Sequence, residues 1–175
     1  MKTVEIERKF LVRSDAWRAS ATSVHVLRQG YLARGTASSL RIRLIDDLTA
    51  QLAVKFGKRG LTREEFEYDI PLAEAKEMLL HVRGKVLEKT RYQVVHRGNV
   101  WEIDVFGGAY QGLTLAEIEM ASEKESPSLP SWLGREVTGD KRYSNRALAF
   151  HRPAMSPPYG ISGMPESTAH RMNQI

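Results

Sequence analysis

The feature that most limits how this chain can fold is an alternation of apolar and fully charged residues that recurs along most of its length. It begins in EIERKF, where Glu5, Glu7 and Lys9 occupy every second position. Side chains of a strand alternate between its two faces, so this trio shares one face while Ile6 and Phe10 share the other. LRIRL then sets Arg41 and Arg43 against Leu40, Ile42 and Leu44. LAVKF sets Lys55 against Val54 and Phe56, and TREEFEYDI gathers Arg63, Glu65 and Glu67 away from Phe66 and Tyr68. EKTRY pairs Lys89 with Arg91, WEIDVF pairs Glu102 with Asp104, and LAEIEM pairs Glu117 with Glu119.

Extending this pattern predicts strands at Val4–Val12, His25–Leu32, Ser39–Ile45, Ala50–Phe56, Thr62–Ile70, Val86–His96, Asn99–Phe106 and Thr114–Ala121. Eight strands with few helices indicate an antiparallel sheet or barrel. RGNVW predicts a tight hairpin turn through Gly98 and Asn99, and GKRG predicts another between the fourth and fifth strands. Helical periodicity is strongest in IPLAEAKEMLLHVRG, where Leu72, Ala75, Leu79 and Val82 fall on one side and Gly84 can end the helix. SDAWRASA predicts a short helix capped by Ser14, SWLGREV a turn or two of helix, and TGDKRYSNRALAF closes the compact part.

With 175 residues, the chain is long enough for one domain with a sizeable core. We expect that domain at residues 1–150, followed by a Pro/Gly/Ser-rich extension at 151–175. There is no cysteine, which excludes disulfides, thiolate metal sites and a cysteine nucleophile. No apolar run has the length of a signal peptide or a membrane span, so the expectation is a cytoplasmic protein without membrane contact. The formal charge of +5 favours polyanions only in general terms.

A half-buried antiparallel sheet shows polar residues to solvent by construction, which would explain any one charged pair. Here the polar positions are filled almost wholly by full charges, and like charges sit two residues apart on the same strand. That layout is repulsive unless opposite charge lies between the strands. Lys9, Arg41, Arg43, Lys55, Lys89 and Arg91 can together grip a compact anion, the arginines offering forked donors to phosphate oxygens. The acids Glu5, Glu7, Glu65, Glu67, Glu102, Asp104, Glu117 and Glu119 would repel that anion. A hard divalent cation resolves the conflict by taking carboxylate and phosphate oxygens together. Closing the eight strands into a barrel would give these charges a common interior. No phosphate loop, dinucleotide fingerprint or zinc helix is present, and the histidines are scattered.

These residues resemble those of the CYTH domain proteins, or triphosphate tunnel metalloenzymes, and in particular their short bacterial members. EIERK matches the family's ExExK signature at Glu5, Glu7 and Lys9. RQGYL, LRIR, REEFEYDIP, EKTRY, WEIDVFGG, LAEIE and WLGREVTGDKRYSN follow in the family's order. The resemblance implies a mainly β, α+β fold: an eight-stranded antiparallel β-barrel forming a tunnel, with a few external helices. It implies metal-dependent hydrolysis of inorganic triphosphate to diphosphate and phosphate. Nucleoside or thiamine triphosphatase, adenylate cyclase, and a non-catalytic polyphosphate- or RNA-binding module are the alternatives. Lys9, Arg41, Arg43, Lys55, Lys89 and Arg91 carry over as substrate-binding residues. Glu5, Glu7, Glu65, Glu67, Asp104, Glu117 and Glu119 carry over as metal ligands for Mg²⁺ or Mn²⁺, two ions per site during turnover. Glu7, Lys89 and Glu119 are the catalytic candidates, with Glu7 or Glu119 to orient water or Lys89 instead to transfer a proton. The aromatic residues lie opposite the charges or alternate with them, which speaks against nucleic acid as the partner. A homodimer is compatible with the sequence.

Overall fold

The computed structural model describes residues 2–35, 38–57 and 62–150. Its strands are β1 (Lys2–Val12), β2 (Ala21–Arg34), β3 (Ser38–Ile45), β4 (Thr49–Gly57), β5 (Thr62–Ile70), β6 (Arg83–His96), β7 (Asn99–Phe106), β8 (Thr114–Glu119) and β9 (Leu133–Glu136). Helix α1 (Leu72–Leu80) joins β5 to β6, and α2 (Asn145–Phe150) ends the described chain. Between β6 and β7 the chain turns through Arg97 and Gly98, whose φ values are 49° and 81°. This left-handed pair suits the right-handed twist of a hairpin, and Asn99 opens the next strand. The GKRG turn and the 151–175 extension lie outside the described residues, apart from Gly57 at the end of β4.

The expected eight-stranded closed barrel and tunnel are corrected. The protein has one nine-stranded antiparallel sheet in the order β5-β4-β3-β2-β6-β7-β8-β1-β9, with a further β5–β1 pairing. The order runs on past β1 to an edge strand, β9, that an eight-stranded barrel does not have. The physical reason lies in β1, which has 11 residues and more than two neighbours. Glu7–Leu11 pair with β8, Lys2–Ile6 with β5, and Phe10 and Val12 with β9. β9 is the LGRE segment for which a helical turn was expected. It is drawn into the sheet by hydrogen bonds from the Arg13 N–H to the Trp132 carbonyl and from the Val137 N–H to the Lys9 carbonyl.

The sheet is strongly curled. Leu11 of β1 and Tyr31 of β2 stand four strands apart in the order, yet they belong to one apolar cluster. That cluster also holds Leu87, Phe106 and Leu115, together with Leu148 and Ala149 of α2. Leu11, Leu87, Phe106 and Leu115 lie two residues along their strands from Lys9, Lys89, Asp104 and Glu117, and therefore on the same face. The inner face of the curl thus changes from charged to apolar along its length, and α2 packs across the apolar end as a floor. Among the described residues the charges line a recess with α2 at its floor.

The outer face is covered in two places. Ile42, Leu44 and Ala50 pack under Ala75 and Leu79 of α1. Around β1, β7 and β8, Phe10, Trp101, Ile103 and Ile118 are covered by Trp17 and Trp132 from two irregular segments. The helix expected across SDAWRASA is reduced to a single 3₁₀ turn at Arg18–Ser20, where Trp17 supplies burial without a longer helix.

Candidate active site

Cross-strand register brings the alternating charges together. Lys9 lies opposite Glu117 and Glu7 opposite Glu119. Lys55 lies opposite Glu65, and Arg91 opposite Asp104. Directly opposed residues of an antiparallel pair share a face, so all of these point into the recess.

Most of the expected metal ligands are engaged by the expected phosphate binders. Glu117 approaches Lys9 at 2.9 Å and Arg91 at 3.5 Å. Glu65 takes Arg41 at 3.0 Å and Lys55 at 2.9 Å, while Glu67 reaches Arg41 at 3.3 Å. Asp104 binds both the Nε and Nη2 atoms of Arg91 at 2.7 Å and makes a short contact with the Lys89 ammonium. Lys89 and Asp104 are 0% and 1% exposed, which makes theirs the most deeply buried ion pair of the site. Glu102 completes the group through Arg91 Nη1.

Burial and charge set the titration of these groups. Burial lowers Lys89 to about 8, despite Asp104, and Arg91 adds to the lowering. Asp104 would be raised by burial, but Lys89 and Arg91 outweigh this and hold it well below the usual carboxylate range. Glu117 is likewise opposed by burial and brought to about 2 by Lys9 first, then Arg91 and Lys89. Burial works against charged Lys9 too, yet Glu117 and Glu7 raise it above an ordinary lysine. At neutral pH the recess therefore carries full charges of both signs.

Arg43 differs from its neighbours. Among the described residues no carboxylate lies within ion-pair distance of it, and its buried Nε has no hydrogen-bond partner. Burial lowers it to about 10, with Arg41 and Arg91 adding like-charge repulsion. Such a guanidinium is poised to accept an anion, which would relieve both penalties.

Glu7 and Glu119 are placed differently from the other acids. They stand opposite one another nearer the open end, Glu7 half-buried and Glu119 exposed, with Lys9 3.7 Å from Glu7. Glu5 continues the same face of β1, but its side chain lies outside the described residues. Among the described residues no three acidic or histidine side chains converge into a metal cluster. A hard cation such as Mg²⁺ commonly takes only one or two carboxylates and completes its shell with water and substrate phosphate. The opposed Glu7 and Glu119 fit that donor set.

Sequence reasoning missed two neighbours of these charges. Asn145 at the start of α2 places Oδ1 3.4 Å from the Lys89 Nζ, and Thr138 Oγ1 accepts the Lys9 N–H at 3.0 Å. Both belong to the GREVTGDKRYSN stretch, whose lack of alternation hid its link to the recess.

A profile of the CYTH domain matches residues 3–147. The inorganic triphosphatase of Acetivibrio thermocellus is 44% identical over 145 residues, covering 82% of this chain and 92% of that protein. The inorganic triphosphatase of Nitrosomonas europaea is 38% identical over 152 residues, covering 85% and 99%. A crystal structure of an inorganic triphosphatase superposes with a TM-score of 0.64 at 36% identity, covering 85% of this chain and 96% of that one. A putative adenylate cyclase from Bacillus halodurans, at 18% identity and a TM-score of 0.55 over 70% of this chain and 83% of that one, shares the fold alone.

Proposed function

Because the chain belongs to the CYTH domain family, we propose that it is a metal-dependent hydrolase that cleaves inorganic triphosphate to diphosphate and phosphate. The observation that carries this reading is Arg43, a half-buried cation whose buried Nε is unpartnered, with two cationic neighbours and no carboxylate within ion-pair distance among the described residues. A compact polyanion offers negative charge where the recess lacks it. Lys9, Arg41, Arg43, Lys55, Lys89 and Arg91 bind the phosphate chain.

Glu7 and Glu119 hold a divalent cation, Mg²⁺ or Mn²⁺, with Glu5 as the adjoining carboxylate on β1. When bound, the cation supplies charge neutralisation and a more acidic water. A second ion per site during turnover belongs to the same reading. Asp104, Glu117, Glu65 and Glu67 act chiefly as counter-ions that fix the orientation of the basic side chains.

Water attacks a terminal phosphorus, an oxygen–phosphorus bond forms, and the bond to the bridging oxygen breaks as diphosphate departs. Glu7 or Glu119 orients that water by accepting a hydrogen bond from it. Lys89 remains protonated at neutral pH with a value of about 8, so it serves as a donor to developing negative charge.

The test is phosphate release from inorganic triphosphate, diphosphate, ATP and thiamine triphosphate, each with Mg²⁺ and with Mn²⁺. Metal-dependent release with preference for inorganic triphosphate is expected. Preference for ATP with a cyclic nucleotide product overturns the reading, as does tight binding without release.

A further inference from the structure

Gln29 is an uncharged side chain on the inner face of the sheet. It lies on β2, directly opposite Arg43 of β3 on one side and Leu87 of β6 on the other. Register therefore places it on the inner face, at the boundary between the charged layer and the floor. It is 0% exposed, and neither its Oε1 nor its Nε2 has a hydrogen-bond partner. The Nε of the facing Arg43 is also buried without a partner.

A buried amide left unsatisfied on both atoms is costly, and replacing it by an apolar group of similar shape removes that cost. Two unpartnered polar side chains facing each other at the inner end of a cationic recess indicate a polar occupant common to both. Arg43 requires that occupant to be an acceptor, and Gln29 Nε2 offers a second donor beside it. The amide can therefore hold a phosphoryl oxygen without adding charge to Arg43, Arg41 and Arg91.

We propose that Gln29 is a substrate-contacting residue that forms, with Arg43, the innermost seat for one phosphoryl group of the bound triphosphate. This rests on the triphosphatase reading and adds to it a neutral contact beside Arg43. A carboxylate at this position would instead pair with Arg43 and occupy the seat.

The test compares wild type, Gln29→Met and Gln29→Glu by calorimetric titration with inorganic triphosphate, steady-state kinetics and thermal unfolding. Gln29→Met is expected to unfold at or above the wild-type temperature while affinity falls and KM rises by about tenfold or more. Gln29→Glu is expected to bind more weakly still and to gain thermal stability. Affinity of Gln29→Met within twofold of wild type overturns the proposal, because the amide then serves only packing or an ordered water. Should neither variant fold, side-chain amide resonances of the wild-type protein decide. A glutamine amide pair protected from solvent and shifted by triphosphate supports the seat, and no such shift overturns it. Failure of the wild type itself to bind or cleave triphosphate overturns the triphosphatase reading, whereas wild-type turnover with an indifferent Gln29→Met overturns the seat alone.

Discussion

Glu7 of β1 faces Glu119 of β8 across a directly opposed pair of the sheet, while two residues further along the same strands Lys9 faces Glu117. One register position thus carries like charges and the next opposite charges. Opposed carboxylates repel, and the chain keeps them beside the open end of the recess, with Lys9 3.7 Å from Glu7.

Glu7→Gln and Glu119→Gln should each lower triphosphate turnover by about a hundredfold or more, the usual scale for losing a group that positions a reacting water. Thermal stability should change little, because Glu7 is half-buried and Glu119 exposed. Turnover measured against metal concentration, with parallel thermal melts, checks both parts. Near wild-type rates in both variants would remove these residues from the mechanism.

The Lys89–Asp104 pair predicts an asymmetry in stability. Asp104→Asn leaves Lys89 and Arg91 buried without their shared counter-ion, a change that costs about 3–5 kcal/mol. Lys89→Met leaves Asp104 with Arg91 still bound at 2.7 Å and should cost less, although activity is lost. Urea unfolding of the two variants tests the order, and equal losses would contradict it.

The pH dependence has two limbs. Lys89 titrates at about 8 in the folded protein against 10.5 ordinarily, so its charge is lost as pH rises through 8. KM for triphosphate should climb above that pH, and Lys89→Arg should flatten the climb. Between about 8 and 10.5 the unfolded chain binds the extra proton, so the contribution of Lys89 to stability increases with pH there. On the acid side, Glu117 is lowered from 4.5 to about 2, so its stabilisation is complete above 4.5 and disappears as pH falls toward 2. Glu117→Gln should make the acid limb of the urea midpoint shallower.

Gly84, at the beginning of β6, tests the floor. Its φ is +81°, and a Cβ there would stand 2.4 Å from the Ala149 carbonyl oxygen of α2. Gly84→Ala should combine backbone strain with overpacking for a loss of about 2–4 kcal/mol. Because the clash displaces α2, triphosphate affinity should fall as well. Denaturant unfolding and calorimetry on one preparation check the two effects together.

Strand positions and their charged faces were legible because period-two alternation is a local signal. Spacing alone put Arg41 with Arg43, Lys89 with Arg91, Glu102 with Asp104 and Glu117 with Glu119 on one face of each strand. β9 was not legible, since LGRE has too few residues to show a period and becomes a strand only through hydrogen bonds to residues beside β1. Gly84 fitted the end of α1 in the sequence, but the helix stops at Leu80 and the glycine instead allows close approach to α2. For the site, spacing identified the charges but not their partners. That Asp104 and Glu117 are held by lysine and arginine, while Glu7 faces Glu119, follows from register between strands distant in sequence.

The change from charged to apolar along the inner face has a consequence for how the chain finds its alignment. In an ordinary half-buried sheet, alternation protects only against slips of one residue, since a slip of two returns every side chain to its proper face. Here a two-residue slip of β1 against β8 would set Lys9 opposite Glu119 or Leu115 and would move Leu11 away from Leu115. A leucine would then meet carboxylates, or an ammonium would enter the floor. The side chains that equip the recess to grip a polyanion also serve as alignment marks, so that β1 and β8 have one mutually satisfying position.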